Sequence, residues 1–167
     1  RREAVRRAVD GRVALTVDAN QQWDRPTAER VGRALEEFNL VWIEEPLDAY
    51  DVEGHARLAA QLVTPIASGE MLTSVAEHLA LIENDAVDFI QPDAPRVGGI
   101  TQFLKIATIA EQKYLRMAPH FAMEIHLHLA AAYAHETWVE HFDWLDPLFN
   151  ERLEIAGGRM IVPNPPG

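Results

Sequence analysis

Leu40-Val41-Trp42-Ile43-Glu44-Glu45-Pro46 is the stretch that decides the fold: a short apolar run that stops at acidic residues. Four apolar residues in succession suit a parallel strand buried on both faces. The same pattern recurs along the chain. Val13–Val17, Pro65–Ala67, Val87–Ile90, Tyr114–Met117 and Trp138–Val139 read as further buried strands. Helix-period segments separate them: Ala28, Val31, Leu35 and Phe38 share one face, as do Val52, Ala56, Ala59 and Leu62, then Ile100, Phe103, Leu104, Ala107 and Ala110. Strands alternating with helices predict a parallel α/β sheet.

Polar residues mark the end of each strand run. Asp18, Glu44, Glu70, Asp93, His120 and Glu140 follow one another at separations of 26, 26, 23, 27 and 20 residues. That spacing is one βα unit, so each group sits one strand over from the last. A doubly wound sheet reverses its strand order and gathers its chemistry at the reversal. Successive strands that each end in a reactive group suit a closed barrel, where chemistry occupies the C-terminal rim. The expected fold is therefore α/β, a (β/α)8 TIM-type barrel truncated at both ends. Residues 1–152 supply approximately strands 3 to 8, and residues 153–167 a C-terminal hairpin or return segment around Gly157-Gly158. Two βα units are expected upstream. Without them the sheet edges stay open, and the stretch alone is expected to aggregate or remain unfolded.

Composition narrows the function classes. A chain of 167 residues, 48% hydrophobic and 25% charged, suits a globular domain. Its net charge of -11 argues against nucleic acid or anionic membrane as a partner. No apolar run approaches the roughly 18 residues that span a bilayer, and no signal peptide follows Arg1. The absence of cysteine fits a cytoplasmic setting and removes thiolate chemistry.

The rim carboxylates have two readings, helix caps or ligands. Caps are available elsewhere: Asp24 with Pro26, Asp51, and the capping box Ser74-Val75-Ala76-Glu77. Asp18, Glu44 and Glu70 would then crowd neighbouring strand ends about 4.8 Å apart. At about 4 Å and an effective dielectric near 20, each like-charge pair costs roughly 4 kcal/mol. A hard divalent cation, Mg²⁺ or Mn²⁺, relieves this and would also hold an anionic substrate. Asp93 and His120 fall on the next two strands, where a carboxylate orients an imidazole and raises its basicity. Glu140 reads either as a protonated donor or as a solvated carboxylate. His126 and His128 point apart on a helix, His55, His78 and His135 read as helix-surface residues, His141 faces away from Glu140, and Gly98-Gly99 reads as a tight turn. A metal-independent barrel glycosidase and a non-enzymatic binding module stay open at this point.

The strings Val17-Asp18-Ala19-Asn20, Trp42-Ile43-Glu44-Glu45-Pro46, Ser68-Gly69-Glu70, Gln91-Pro92-Asp93 through Gly98-Gly99-Ile100, and Ala118-Pro119-His120-Phe121 resemble the mandelate racemase subgroup of the enolase superfamily. Asp18 through Asp24, Pro119 through Glu124 and Glu140-His141-Phe142 place the resemblance nearest its acid-sugar dehydratases. The resemblance implies the C-terminal catalytic domain of such an enzyme, with Asp18, Glu44 and Glu70 as Mg²⁺ ligands and Asn20 and Glu45 nearby. It implies Asp93 and His120 as the catalytic dyad, and Glu140 as a hydrogen-bond partner of the enolate. The activity implied is dehydration of an aldarate or aldonate by α-proton abstraction to an ene-diolate and loss of the β-hydroxyl (a lyase). A racemase or epimerase of the subgroup is the alternative, and an inactive fragment a further one. A homo-oligomer is implied too. The subgroup's opposing Lys-x-Lys acid/base and its N-terminal capping domain are not in these residues.

Overall fold

The structure, a computed structural model, describes residues 2–9 and 12–163. The helix α1 (Arg2–Val9) leads into five βα repeats: β1 (Val17–Asp18), α2 (Arg25–Leu35), β2 (Ile43–Glu44), α3 (Val52–Gln61), β3 (Ile66–Ser68), α4 (Val75–Glu83), β4 (Phe89–Ile90), α5 (Ile100–Gln112), β5 (Arg116–Met117) and α6 (Met123–Ala131). A hairpin of β6 (Ile155–Ala156) and β7 (Arg159–Met160) follows, turned through Gly157 and Gly158 at φ 59° and 77°. Two successive positive φ values are what a tight hairpin turn of this hand needs. Residues 164–167, the end of the expected return segment, lie outside the described residues.

The five strands are parallel and lie in sequence order, β1-β2-β3-β4-β5. There is no reversal and hence no switch point, as a barrel wall requires and a doubly wound sheet does not. The anticipated sixth strand at Trp138–Val139 is not formed. A single bond reaches the sheet there, from the Trp138 N–H to the Met117 carbonyl at 3.2 Å. Trp138 nevertheless stands edge-on to Trp42, with ring centroids 5.6 Å apart.

Each strand divides its side chains between two layers by the two-residue period. Ile43, Ile66, Ile90 and Met117 face the helices and join Leu35, Leu81, Phe103 and Ile106 in the main core. Their neighbours Trp42, Ala67, Phe89 and Ala118 form a second cluster on the inner face. Both faces are therefore covered, which is why the strand runs are continuously apolar. Asp24, Asp51 and Ser74 cap α2, α3 and α4, and Glu77 completes the capping box at Ser74. Among the described residues no helix is long and apolar enough to cross a membrane.

His55 and His78 overturn their reading as surface residues: both are fully buried. Each sits four residues past a cap, where Nδ1 hydrogen-bonds the carbonyl of that cap, Asp51 or Ser74, at 3.0 and 2.8 Å. That bond absorbs one ring nitrogen and lets the ring pack inward. His126 is buried as well. Burial pushes all three imidazoles below their ordinary range, so they fold neutral. A histidine whose folded pKa is depressed contributes stability that is complete above its unfolded value, about 6.5, and is lost as pH falls below it. The carboxyls of buried Glu45 and half-buried Glu70 and Glu140 are shifted the other way, so the histidine contribution is best read as a difference. In the full-length protein, the stability gap between the native sequence and a His55→Phe/His78→Phe double variant, from denaturant unfolding, should shrink between pH 7.5 and 5.5. A gap that stays constant or widens on acidification counts against neutral burial.

Candidate active site

The sheet's hydrogen-bond ladder runs on past the strand ends and fixes the rim. The N–H of Ala19 donates to the Glu44 carbonyl at 3.0 Å, Glu45 to Ala67 at 2.9 Å, Gln91 to Ser68 at 3.0 Å and Ala118 to Ile90 at 3.0 Å. The register sets Asp18 opposite Glu44. Glu70 lies just past β3, beyond Gly69, whose φ is 136°. A Cβ at Gly69 would lie 3.2 Å from the Gln91 backbone nitrogen, so the close approach of β3 to β4 requires glycine there.

Asp18, Glu44, Glu45 and Glu70 thus converge on one rim, and each of the first three carries a local donor. Asn20 donates to Asp18 from its backbone N–H at 2.7 Å and also from its side-chain amide. The Trp42 indole N–H donates to Glu44 Oε2 at 2.8 Å, and the Gln21 amide to Glu45 Oε2 at 2.9 Å. Glu45 is 2% exposed, and its Oε1 has no partner. Burial is the first cause that pushes the Glu70 carboxyl up to about 8; the charges of Glu45, Glu44 and Asp18 add to it. Burial likewise raises Glu45. Among the described residues no three His, Asp or Glu side chains are drawn into a closed metal-holding group; Asp18, Glu44 and Glu45 each lean on their own donor. The donor set itself fits a hard divalent cation: all oxygen, mutually repelling, with one buried oxygen unsatisfied.

Across the rim, His120 Nδ1 lies 2.9 Å from Asp93 Oδ2. Asp93 is buried at 3% exposure, and its other oxygen accepts the Arg96 N–H at 3.0 Å. This leaves His120 Nε2 facing Glu70 Oε1 at 3.7 Å. Burial alone would lower the His120 pKa; the bond to Asp93 and the charges of Glu70 and Glu140 outweigh it and hold the imidazole above its ordinary value. Asp93 answers in the opposite direction: its bonds to His120 and Arg96 outweigh burial and keep it ionised. Glu140 Oε2 accepts the Phe121 N–H at 2.6 Å, so Glu140 is tied to the loop that carries His120. Burial raises its pKa, against the Phe121 N–H and the His120 ring, which lower it.

Several residues of this rim escape a reading by strand ends alone. Trp42 shares a strand face with Glu44 two residues on, and the two-residue period was the available signal. Gln21 joins Glu45 to the Ala49 N–H, a link between two loops that no local pattern encodes. Arg96 reaches both Asp93, at 3.6 Å, and the Met71 sulfur. A cavity of about 1220 Å³ lies elsewhere, near the start of β5, against α6 and the hairpin; Arg116, Leu127, Trp138, His141 and Met160 are among its walls, and none of the six rim residues is.

The chain resembles characterised proteins closely. It is 65% identical over 159 residues to L-talarate/galactarate dehydratase of Salmonella typhimurium, covering 95% of this chain and 40% of that protein. Arabinonate dehydratase of Saccharolobus solfataricus is 34% identical over 176 residues, 100% of this chain and 47% of that one. Among solved structures, L-talarate dehydratase from Polaromonas sp. JS666 complexed with Mg and L-glucarate superposes with a TM-score of 0.95 at 69% identity, covering 96% of this chain and 45% of that one. The chain thus spans less than half the length of these relatives. The enolase C-terminal domain-like family model matches residues 1–167. With its in-order parallel sheet and carboxylate rim, the chain belongs to the enolase C-terminal domain-like family and has that family's α/β barrel fold.

Proposed function

We propose that this chain carries the cation-holding and proton-transferring face of a Mg²⁺-dependent acid-sugar dehydratase of the L-talarate/galactarate type. The observation that supports it most is the Asp93–His120 pair, with the free imidazole nitrogen turned toward the carboxylate rim. Asp18, Glu44 and Glu70 would hold the ion, Mg²⁺ or in its place Mn²⁺. Bound there, the ion supplies positive charge against the substrate carboxylate and so makes the α-proton more acidic.

His120 Nε2 is the group that moves protons. As a base it takes the α-proton while the C–H electron pair stays on the substrate; as an acid it gives a proton to the β-hydroxyl as that C–O bond breaks, releasing water. Asp93 accepts the Nδ1–H and keeps Nε2 available in either role. Glu140, when protonated, donates to the carboxylate oxygen on which negative charge grows. The product is a 2-keto-3-deoxy acid. Product analysis separates this from racemisation or epimerisation, which returns an isomer of the starting acid. Under the same reading residues 1–152 are barrel staves, 153–167 a return segment, and the working enzyme is a cytoplasmic homo-oligomer that takes aldarates or aldonates.

Two tests follow in the complete enzyme. His120→Asn should lower turnover of galactarate by at least about 10²- to 10⁴-fold while calorimetric Mg²⁺ binding is unchanged; near-normal dehydration would remove His120 from the mechanism. Trp42→Phe, which deletes the donor to Glu44, should weaken Mg²⁺ binding by about 10- to 100-fold. Glu44→Gln and Glu70→Gln should weaken it further than that. Unaltered affinity in both glutamine variants would refute the ligand assignment.

A further inference from the structure

His126 is fully buried on α6, and the sequence offered it no role. Its two ring nitrogens are both engaged, each with backbone next to a rim residue. Nε2 accepts the N–H of Ala94 at 3.0 Å, and Nδ1 donates to the carbonyl of Phe121 at 2.8 Å. Ala94 directly follows Asp93, and Phe121 directly follows His120. His55 and His78 also bond a helix-start carbonyl through Nδ1, but their Nε2 atoms have no partner. Only His126 of the three bridges two loops.

We propose that His126 is a positioning residue for the Asp93–His120 dyad: one neutral imidazole ties the backbone after Asp93 to the backbone after His120, and so sets the spacing between the two side chains. The proposal rests on the dehydratase reading only where turnover is the readout. Acceptance at Nε2 requires the tautomer with hydrogen on Nδ1, and Nδ1 then donates to Phe121; the two bonds specify each other. Burial holds the ring neutral, and Phe103 stacks on it at 5.4 Å. The loop it grips is strained, with Phe121 at φ 56° and Ala122 at φ 29°. Such residues persist where surrounding contacts over-determine them. Here the Phe121 N–H is held by Glu140 and its carbonyl by His126, so both polar groups of the residue beside His120 are anchored by side chains.

The test uses the complete Mg²⁺-loaded enzyme with galactarate. His126→Phe keeps an aromatic ring against Phe103 but deletes both bonds. It should lower kcat by about 10- to 100-fold, the range for losing an outer hydrogen-bond partner of a working group, with KM changed less than about threefold. Because a loosened Asp93–His120 bond supports the imidazolium less, the kinetic pH limb of His120 should move to lower pH. His126→Gln, whose amide can both donate and accept, should recover part of kcat. His55→Phe serves as the control for merely burying a different ring; it should lower stability and leave the pH limb in place. Independently of turnover, ¹⁵N NMR should show His126 Nε2 unprotonated across roughly pH 6 to 9. Native kcat and pH profile in a folded His126→Phe enzyme would overturn the proposal, as would an Nε2–H tautomer. If the phenylalanine variant does not fold, the glutamine variant and the tautomer decide. Should the native enzyme fail to dehydrate any acid sugar, the functional reading falls, and the tautomer with the NMR titration of His120 still tests the tie.

Discussion

The backbone ladder between neighbouring parallel strands is the constraint on which the rest stands. It fixes register to one residue, Val17 against Ile43 and Asp18 against Glu44, and continues beyond the strands to Ala19, Glu45 and Gln91. A slip of one residue would send every inward side chain outward. Trp42 and Glu44 would then turn into the helix layer, and Ile43 onto the rim. The apolar core and the polar rim are thus two consequences of one register, which is why the hydrophobic pattern that folds the sheet also assembles the site.

Crowding acids on a half-buried rim works against the fold, and the structure shows how this is contained. Asn20, Trp42 and Gln21 each give a hydrogen bond to one carboxylate, and burial, with the neighbouring carboxylates adding to it, pushes the Glu70 carboxyl up to about 8. Five of the eight described non-glycine residues at positive φ gather in the same place; Asn39, Asp85 and Tyr114 lie in turns away from it. Asn20, Gln21, Glu45, Phe121 and Ala122, none of them glycine, all hold positive φ. Such conformations cost on the order of 1–3 kcal/mol each and collect where geometry is functional. The rest of the sheet, packed on both faces, is what keeps them in place.

Histidine shows most clearly how neighbours decide chemistry. His120, His126, His55 and His78 are the same side chain in four settings. His120 faces Asp93 and two further carboxyls and is held above its usual pKa. The other three face backbone and apolar side chains and are held below theirs. The imidazole on the rim is thereby kept available for protons while the interior ones are locked out of exchange.

The sequence by itself determined the βα alternation, the helix caps at Asp24, Asp51 and Ser74, the glycine turn of the hairpin and the placing of five polar residues, Asp18, Glu44, Glu70, Asp93 and His120, at or just past strand ends. These are local matters: periodicity, capping and turn chemistry act over a few residues and leave a mark at fixed spacing. It misjudged Trp138–Val139 as a strand, because a strand forms only where a neighbour pairs with it. It misjudged His55 and His78 as surface, because a polar ring goes inside when a helix-start carbonyl satisfies it, and that carbonyl is backbone. The Asp93–His120 pairing was legible in the spacing of the strand ends, but only the tertiary structure decided the Gln21–Glu45 link and the bridge from His126 to Ala94. Each joins residues 24 or more positions apart. Contacts that arise from strands lying side by side are set by packing, and packing has no period that a single chain can display.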